Sequence, residues 1–303
     1  MILLDADSLL YKIGFSTEDV SASIAISRMA TLVEEIIFDS LSNTYEDYIV
    51  FLSGSKNYRK DIDPEYKANR AKTPDEFRSQ MGYLHELVDA FGIKQFEVEG
   101  FEADDIIATI TKRAEKESAE ILICTGDRDS FQLVTDEITV LYPKKGVSEL
   151  ARMTPSAVKE KYGLTPSQYH DFAALRGDPS DNLPSIPGVG EKTAAKWIVE
   201  YGTLSNLVAK VDEVGGKVGD SLRAHLNSVL LNHELTQLIS DVPIKYQLDE
   251  LNWSGYDTAA LRQIFTQLEF RSLLNKLPNQ VEKPVAIESN FVTPDEINQK
   301  LAN

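Results

Sequence analysis

Eight carboxylates fall in four short stretches: Asp5 in ILLDA, Glu102, Asp104 and Asp105 in FEADDIIATI, Asp127 and Asp129 in TGDRDS, and Asp178 and Asp181 in RGDPSDNLP. Unscreened like charges a few ångströms apart repel by about 1 kcal/mol per pair in water, and by more where burial lowers the dielectric. Such density needs compensation. Each stretch alone has an ordinary explanation, an acidic first helical turn at 102–105 and an Asx or type I turn at Asp-Pro-Ser. Taken together they suit a metal site. Carboxylate oxygens are hard ligands for Mg²⁺ or Mn²⁺, which use few carboxylates per ion. A surplus implies two ions, the arrangement that activates a water and stabilises the leaving oxygen of a phosphoryl displacement.

These residues need a frame that brings them together. Short apolar runs (ILLDA, YIVFL, KQFEVE, EILICT, ITVLYP) alternate with helical spacing over about 21–41, 75–91 and from 102 onward. That order predicts an α/β fold, a mostly parallel sheet with helices on both faces, whose ligands sit beyond the carboxyl ends of the strands. Asp5 ends the first strand, 102–105 follow the third, and Asp127 and Asp129 follow the fourth, so acids distant in sequence converge on one edge. Within 102–105, Glu102 and Asp105 share a helical face and Asp104 points elsewhere. Ala103, Ile107, Ile110 and Ala114 form the stripe that packs on the sheet. Asp7 reads as a helix N-cap. From about 154 the pattern turns helical, and after 277 the chain is polar with scattered proline, as in a tail or linker.

Two segments suit anion binding. LPSIPGVGEKTAAKWI holds a Gly-x-Gly hairpin, Gly188 and Gly190, that opens a helix carrying Lys192 and Lys196 one turn apart. Bare amides there can hold a backbone phosphate without reading sequence, although a tight turn between packed helices needs the same glycines. GGKVGDSLRAHL is a weaker second turn. Residues 56–78 carry Lys56, Arg59, Lys60, Lys67, Arg70, Lys72 and Arg78, with Tyr58 and Tyr66 interleaved. Aromatic rings there could stack on an unpaired base; the alternative is a solvated loop of mixed charge.

Composition narrows the classes. A net charge of −17 over 303 residues argues against nonspecific attraction to polyanions, leaving local basic patches to do any binding. The single cysteine, Cys124 in ILIC, excludes an intrachain disulfide and reads as core. MILL is too short for a signal peptide and no apolar run spans a bilayer, so the expected compartment is cytoplasmic.

The motifs YRKDIDPEYKANRAKTPDEF, GFEADDIIATI, TGDRDSFQLV and ALRGDPSDNLPSIPGVGEKTAAKWIVEYG, in this order along the chain, resemble the 5′ nuclease family: the 5′→3′ exonuclease domain of bacterial DNA polymerase I, phage 5′ exonucleases and flap endonucleases. The resemblance covers about residues 1–245. It is most polymerase-like over 100–245 and more phage-like over the first 70, which favours a free-standing enzyme. It implies a PIN-like core over 1–150 with a basic arch at about 56–80, and a helical domain over 151–275. That domain would carry a helix-three-turn-helix element at about 183–200, with a polar tail at 276–303.

The same resemblance implies that all eight acids hold two Mg²⁺ or Mn²⁺ ions and that Lys67 and Arg70 approach the scissile phosphate. Arg59, Gly188, Gly190, Lys192 and Lys196 would bind DNA, with K⁺ at the hairpin. The implied partner is DNA with 5′ ends, flaps or nicks, or an RNA–DNA hybrid, bound by a monomer. There is one departure: Leu52 stands where the family commonly has an acid, which makes a catalytically impaired junction binder an alternative. A second alternative is a haloacid-dehalogenase-type phosphatase, since ILLDADSL places Asp-x-Asp after a first strand.

Overall fold

Aliphatic runs become strands because their side chains can be buried on both faces of a sheet. The computed structural model describes residues 1–10, 12, 22–38, 48–51, 57–70, 75–116, 120–145 and 149–277. The strands are β1 (Ile2–Asp5), β2 (Tyr48–Phe51), β3 (Lys94–Phe96), β4 (Ile121–Cys124), β5 (Ile138–Lys145) and β6 (Glu149–Met153), in the spatial order β3-β2-β1-β4-β5-β6. The first five in that order are parallel, and β6 returns antiparallel to β5. The expected mostly parallel sheet is therefore present, and β1 and β4 lie side by side at its centre with Leu4 opposite Cys124.

The helices are α1 (Ala6–Leu9), α2 (Ala22–Phe38), α3 (Arg59–Ile62), α4 (Asp75–Ala90), α5 (Ala103–Glu115), α6 (Pro155–Tyr162) and α7 (Tyr169–Arg176). They continue with α8 (Glu191–Tyr201), α9 (Leu204–Ala209), α10 (Gly216–Ala224), α11 (Leu226–Thr236), α12 (Thr258–Gln267) and α13 (Arg271–Lys276). None of the described helices is long and apolar enough to cross a membrane. The tail beyond 277 and Leu52 lie outside the described residues.

Strand alternation splits the core into two layers. Leu3, Ile121, Ile123 and Val140 face α5, and that layer continues into the helical half through Phe172, Trp197 and Val229. Ile2, Leu4, Leu122 and Cys124 face the opposite way, onto Met29, Leu84 and Leu87 of α2 and α4. The same layer takes in Leu261, Phe265 and Leu273 from α12 and α13, so the last helices return to the first half of the chain. Cys124 is fully buried, and burial with the nearby Asp5 charge pushes its thiol up to about 12, as befits a core residue.

Helix α5 is buried almost all round, beyond the stripe expected of it. The sheet covers one side and the strand-like segment after α11 covers the other. Thr109 Oγ1 accepts from Val242 N at 3.0 Å, and Arg113 donates to the carbonyls of Ile244 and Val242.

The turn after α7 depends on glycine. Gly177 has φ +69 and ψ 173, a region closed to residues with a side chain, and an added Cβ would stand 2.7 Å from Pro184 O. Buried Asn232 of α11 fixes both ends of this turn, donating to Ala174 O and Pro184 O at 3.0 Å each. Gly177→Ala should therefore lower stability by about 1–3 kcal/mol, the cost of a strained backbone position. An unchanged denaturation midpoint would contradict this account of the turn.

Candidate active site

Asp5 stands at the carboxyl end of β1 and caps α1, accepting from Ser8 N at 3.1 Å. Its other oxygen accepts from Thr125 Oγ1 at 2.7 Å. With that proton committed, Ser8 Oγ donates to Thr125 Oγ1 at 2.9 Å and accepts from Gly126 N at 2.9 Å. Thr125 Oγ1 also accepts from Asp127 N at 3.0 Å. One chain of hydroxyls thus laces the ends of β1 and β4 and sets Asp127 beside Asp5. The expectation that Asp7 is the N-cap is corrected: Asp5 caps, and Asp7 sits in the first turn. Burial pushes the Asp5 carboxyl up to about 6 despite its hydrogen bonds.

The segment 57–70 is strapped across the acids. Tyr58 N donates to Gly100 O at 3.0 Å, Lys67 N to Asp181 O at 2.9 Å, Asn69 Nδ2 to Pro179 O at 2.7 Å and Asn182 Nδ2 to Glu65 O at 2.8 Å. Lys67 and Asn182, where the segments meet, have φ of +57 and +61. Non-glycine residues hold that conformation only where surroundings enforce it. The strap places Lys67 Nζ on Glu102 Oε1 and 3.8 Å from Asp181 Oδ2, and Arg70 Nη2 2.5 Å from Asp181 Oδ1. Buried Tyr66 lies between the two acids, its hydroxyl 3.0 Å from Glu102 Oε2 and 3.3 Å from Asp181 Oδ2. Burial alone would raise the Glu102 carboxyl; Lys67 and Arg59 outweigh it and hold it low.

Two expectations fail here. Arg59, expected to bind DNA, is 1% exposed and spends all five N–H groups inside the protein. It donates to Asp105 at 2.7 and 2.8 Å, to Glu102 at 3.2 Å, and to the carbonyls of Leu235 at 2.7 Å and Gln237 at 2.9 Å. Asp105, expected as a metal ligand, is fully buried, and its oxygens also accept from Glu102 N at 3.3 Å and Ile239 N at 2.9 Å. A carboxylate saturated by a bidentate arginine and two amides has no lone pair facing the site. The pair is a structural joint between the strap, α5 and the end of α11.

Among the described residues, Asp104, Asp127 and Asp129 have no ion-pair partner. Burial, followed by repulsion from Asp105, raises Asp104 well above the ordinary carboxylate range. Burial and then Asp181 raise Asp127, and burial and then Asp127 raise Asp129. Asp178 is held by Ser180, whose N and Oγ donate at 2.8 and 2.6 Å, and by Arg176 at 3.5 Å. Hard oxygen donors with unmatched negative charge fit a divalent ion such as Mg²⁺ or Mn²⁺. The acids share one edge without forming a tight cage. Among the described residues the trio of His, Cys or carboxylate side chains with ligand atoms within 4.8 Å of one another is His170, Asp171 and His233. Sequence reading missed this trio because His233 lies 62 positions from Asp171. It joins α7 to α11: His233 donates to Asp171 at 2.9 Å, and His170 donates to His233 O at 2.7 Å.

At the hairpin, Gly188 takes φ +80 and Gly190 caps α8. Lys192 and Lys196 are exposed and have no ion-pair partner among the described residues. The second glycine turn stands beside the first, with Ser221 Oγ donating to Pro187 O at 2.8 Å.

Removing Arg59 strands a buried carboxylate. Arg59→Met should cost about 3–5 kcal/mol, typical of breaking a buried pair from one side. Adding Asp105→Asn should recover part of the loss, because the amide still accepts from Ile239 N. If Arg59→Met kept wild-type stability and lost DNA affinity instead, the joint would be misassigned.

The geometry has counterparts. The family model described as 5′-3′ exonuclease, N-terminal resolvase-like domain, matches residues 1–163, and that described as 5′-3′ exonuclease, C-terminal SAM fold, matches 164–259. DNA polymerase I of Mycobacterium bovis is 46% identical over 100% of this chain and 35% of its own length. The Bacillus subtilis DNA polymerase I is 37% identical over 91% of the chain and 32% of its own. The chain thus spans about a third of the length of these relatives. In structure, the T5 D15 protein co-crystallised with metal ions aligns with a TM-score of 0.61 at 22% identity, over 91% of this chain and 98% of that one. The catalytic core of Rad2 in complex with DNA substrate aligns with a TM-score of 0.59 at 15% identity, over 92% of each chain. On the strength of the family models and these relatives, the chain belongs to the 5′-3′ exonuclease family.

Proposed function

We propose that this chain is a structure-specific 5′ nuclease that hydrolyses phosphodiester bonds near 5′ ends and flaps of DNA with the help of divalent metal ions. The observation that carries the reading is the meeting of acids from four separate segments with Lys67 and Arg70 at the carboxyl edge of the sheet. Support comes from the neighbours: the T5 flap endonuclease has a pseudo-enzyme-product complex with DNA and metal ions, and the Rad2 core a complex with DNA substrate. Family membership removes the phosphatase alternative.

Asp5, Glu102, Asp104, Asp127, Asp129, Asp178 and Asp181 would hold two Mg²⁺ or Mn²⁺ ions. Bound there, the ions would supply an activated water and stabilise the leaving oxygen. Lys67 and Arg70, on a strap at the site's mouth, would neutralise the scissile phosphate, which requires them to exchange their carboxylate partners for the substrate. Ser8 and Thr125 act through Asp5 and Asp127: Ser8 N and Thr125 Oγ1 fix where the Asp5 carboxylate points, and Thr125 Oγ1 holds the backbone of Asp127.

Gly188, Gly190, Lys192 and Lys196 would grip the duplex backbone in a helix-three-turn-helix element, with K⁺ bound to the hairpin's backbone oxygens. The substrate would be a nick, flap or 5′ end, in DNA or an RNA–DNA hybrid, processed by a monomer.

Cleavage of 5′-flap and nicked duplexes, with Mg²⁺ and with EDTA, tests the reading. EDTA should abolish cleavage, and Asp127→Ala should lose more than about 100-fold in rate, the scale of losing one transition-state stabiliser, while retaining DNA binding. Binding without Mg²⁺-dependent cleavage by the wild type would make the chain a junction binder. The hairpin has its own test. A Cβ on Gly190 meets nothing within 4 Å, whereas Gly188 has a positive φ, so Gly190→Val is the variant that should fold normally. It should weaken duplex binding equally across sequences, since a side chain blocks backbone approach to phosphates. Loss confined to some sequences would contradict phosphate gripping.

A further inference from the structure

One charged region takes no part in the mechanism above. A cleft of roughly 390 Å³ opens beside the loop after β4 and is lined by Lys12, Arg128, Tyr142, Lys144, Lys161 and Glu191, among others. In a chain of net charge −17, four cations around one cleft are held together against mutual repulsion. Two of them have acidic partners: Arg128 lies 3.4 Å from Glu191 and Lys144 lies 3.9 Å from Glu149.

The other two have no carboxylate partner among the described residues. Lys12 Nζ donates to Gly126 O at 3.3 Å and rests 3.5 Å from the Tyr142 ring centroid. Lys161 Nζ lies 5.8 Å from the Tyr142 ring and 5.2 Å from that of Tyr162. Ring faces and a carbonyl supply only partial negative charge. Burial would push the Tyr142 phenol up, yet the neighbouring Lys12 and Arg128 charges hold it low.

About two positive charges are therefore left over. A phosphate monoester carries roughly −1.5 to −2 at neutral pH, against a single charge on an internal phosphodiester. Location adds to this. Lys12 contacts the carbonyl of Gly126, the residue before Asp127, and Arg128 lies between Asp127 and Asp129. The cleft borders the acids along one strand end.

We propose that this cleft binds the terminal 5′-phosphate of the strand to be cut, a subsite for recognising the strand's end. The assignment rests on the nuclease reading and adds to it a preference for phosphorylated 5′ ends. Lys12 and Lys161 make the charge match, and Tyr142 sets their positions.

The test measures binding in EDTA, by fluorescence anisotropy, to a nicked duplex bearing either a 5′-phosphate or a 5′-hydroxyl at the nick. The wild type should bind the phosphorylated nick about ten-fold tighter, the scale of a charge-assisted contact. Lys161→Gln should shrink that ratio, and Lys12→Gln with Lys161→Gln should bring it close to one without weakening binding to the hydroxyl form. The salt dependence for the phosphorylated nick should fall by about one unit per lysine removed. Lys161 is exposed, so its single variant guards against misfolding. A wild-type ratio of one overturns the proposal, as does an equal loss on both nicks in the variants, which would mark an internal backbone contact. Failure of the wild type to bind either nick would overturn the nuclease reading itself.

Discussion

Negative charge cannot be gathered at the edge of a sheet unless positive charge meets it, and the structure is arranged around that constraint. Arg59 answers Asp105 and part of Glu102, while Lys67 and Arg70 answer the rest of Glu102 and Asp181. Asp104, Asp127 and Asp129 are left with burial and the repulsion of neighbouring carboxylates. Among the described residues the internal cations thus tie Asp105 into the fold and leave Asp104, Asp127 and Asp129 without an ion-pair partner.

The same charges couple the two halves of the chain. Arg59 reaches from the strap to carbonyls at the end of α11, and Asp105 accepts from Ile239 N just beyond. The strap also hydrogen-bonds to the turn carrying Asp178 and Asp181, and that turn is fixed by Asn232 of α11. Positioning of the helical half and assembly of the acidic edge are thus one problem solved by one set of buried polar contacts. Losing any of them leaves an unpaired group in low dielectric, which costs far more than the contact's net worth.

Much of this was legible in the sequence. Strand and helix periods alternate clearly through the first half, and acids at strand ends must meet on one edge of a parallel sheet. What escaped was the identity of each acid's partner. Arg59 stands among seven basic residues in one window, and nothing local marks it as the one to be buried against a carboxylate 46 positions away. Asp105 and Asp104 are neighbours of the same type, and only the helix's second packing surface decides which turns inward. Strand β6, with the sequence ELARM, is interrupted by Glu149 and Arg152 and pairs as an edge, so it lacks the apolar run that marks the buried strands. The return of α12 and α13 to the first half depends on a long-range contact that no local pattern encodes.

On the proposed function, a divalent ion supplies the counter-charge that Asp127 and Asp129 lack. Thermal melting of the wild type and of the Asp127→Asn/Asp129→Asn variant, each titrated with Mg²⁺ from an EDTA-stripped state, tests it directly. The wild type should start below the variant, since two repelling half-buried carboxylates are a net cost, and climb with Mg²⁺ as binding to the folded state adds stability, about 2.7 kcal/mol at 100 times the dissociation constant. The variant should start higher and respond little. A variant that starts below the wild type, or that gains as much from Mg²⁺, would contradict the account.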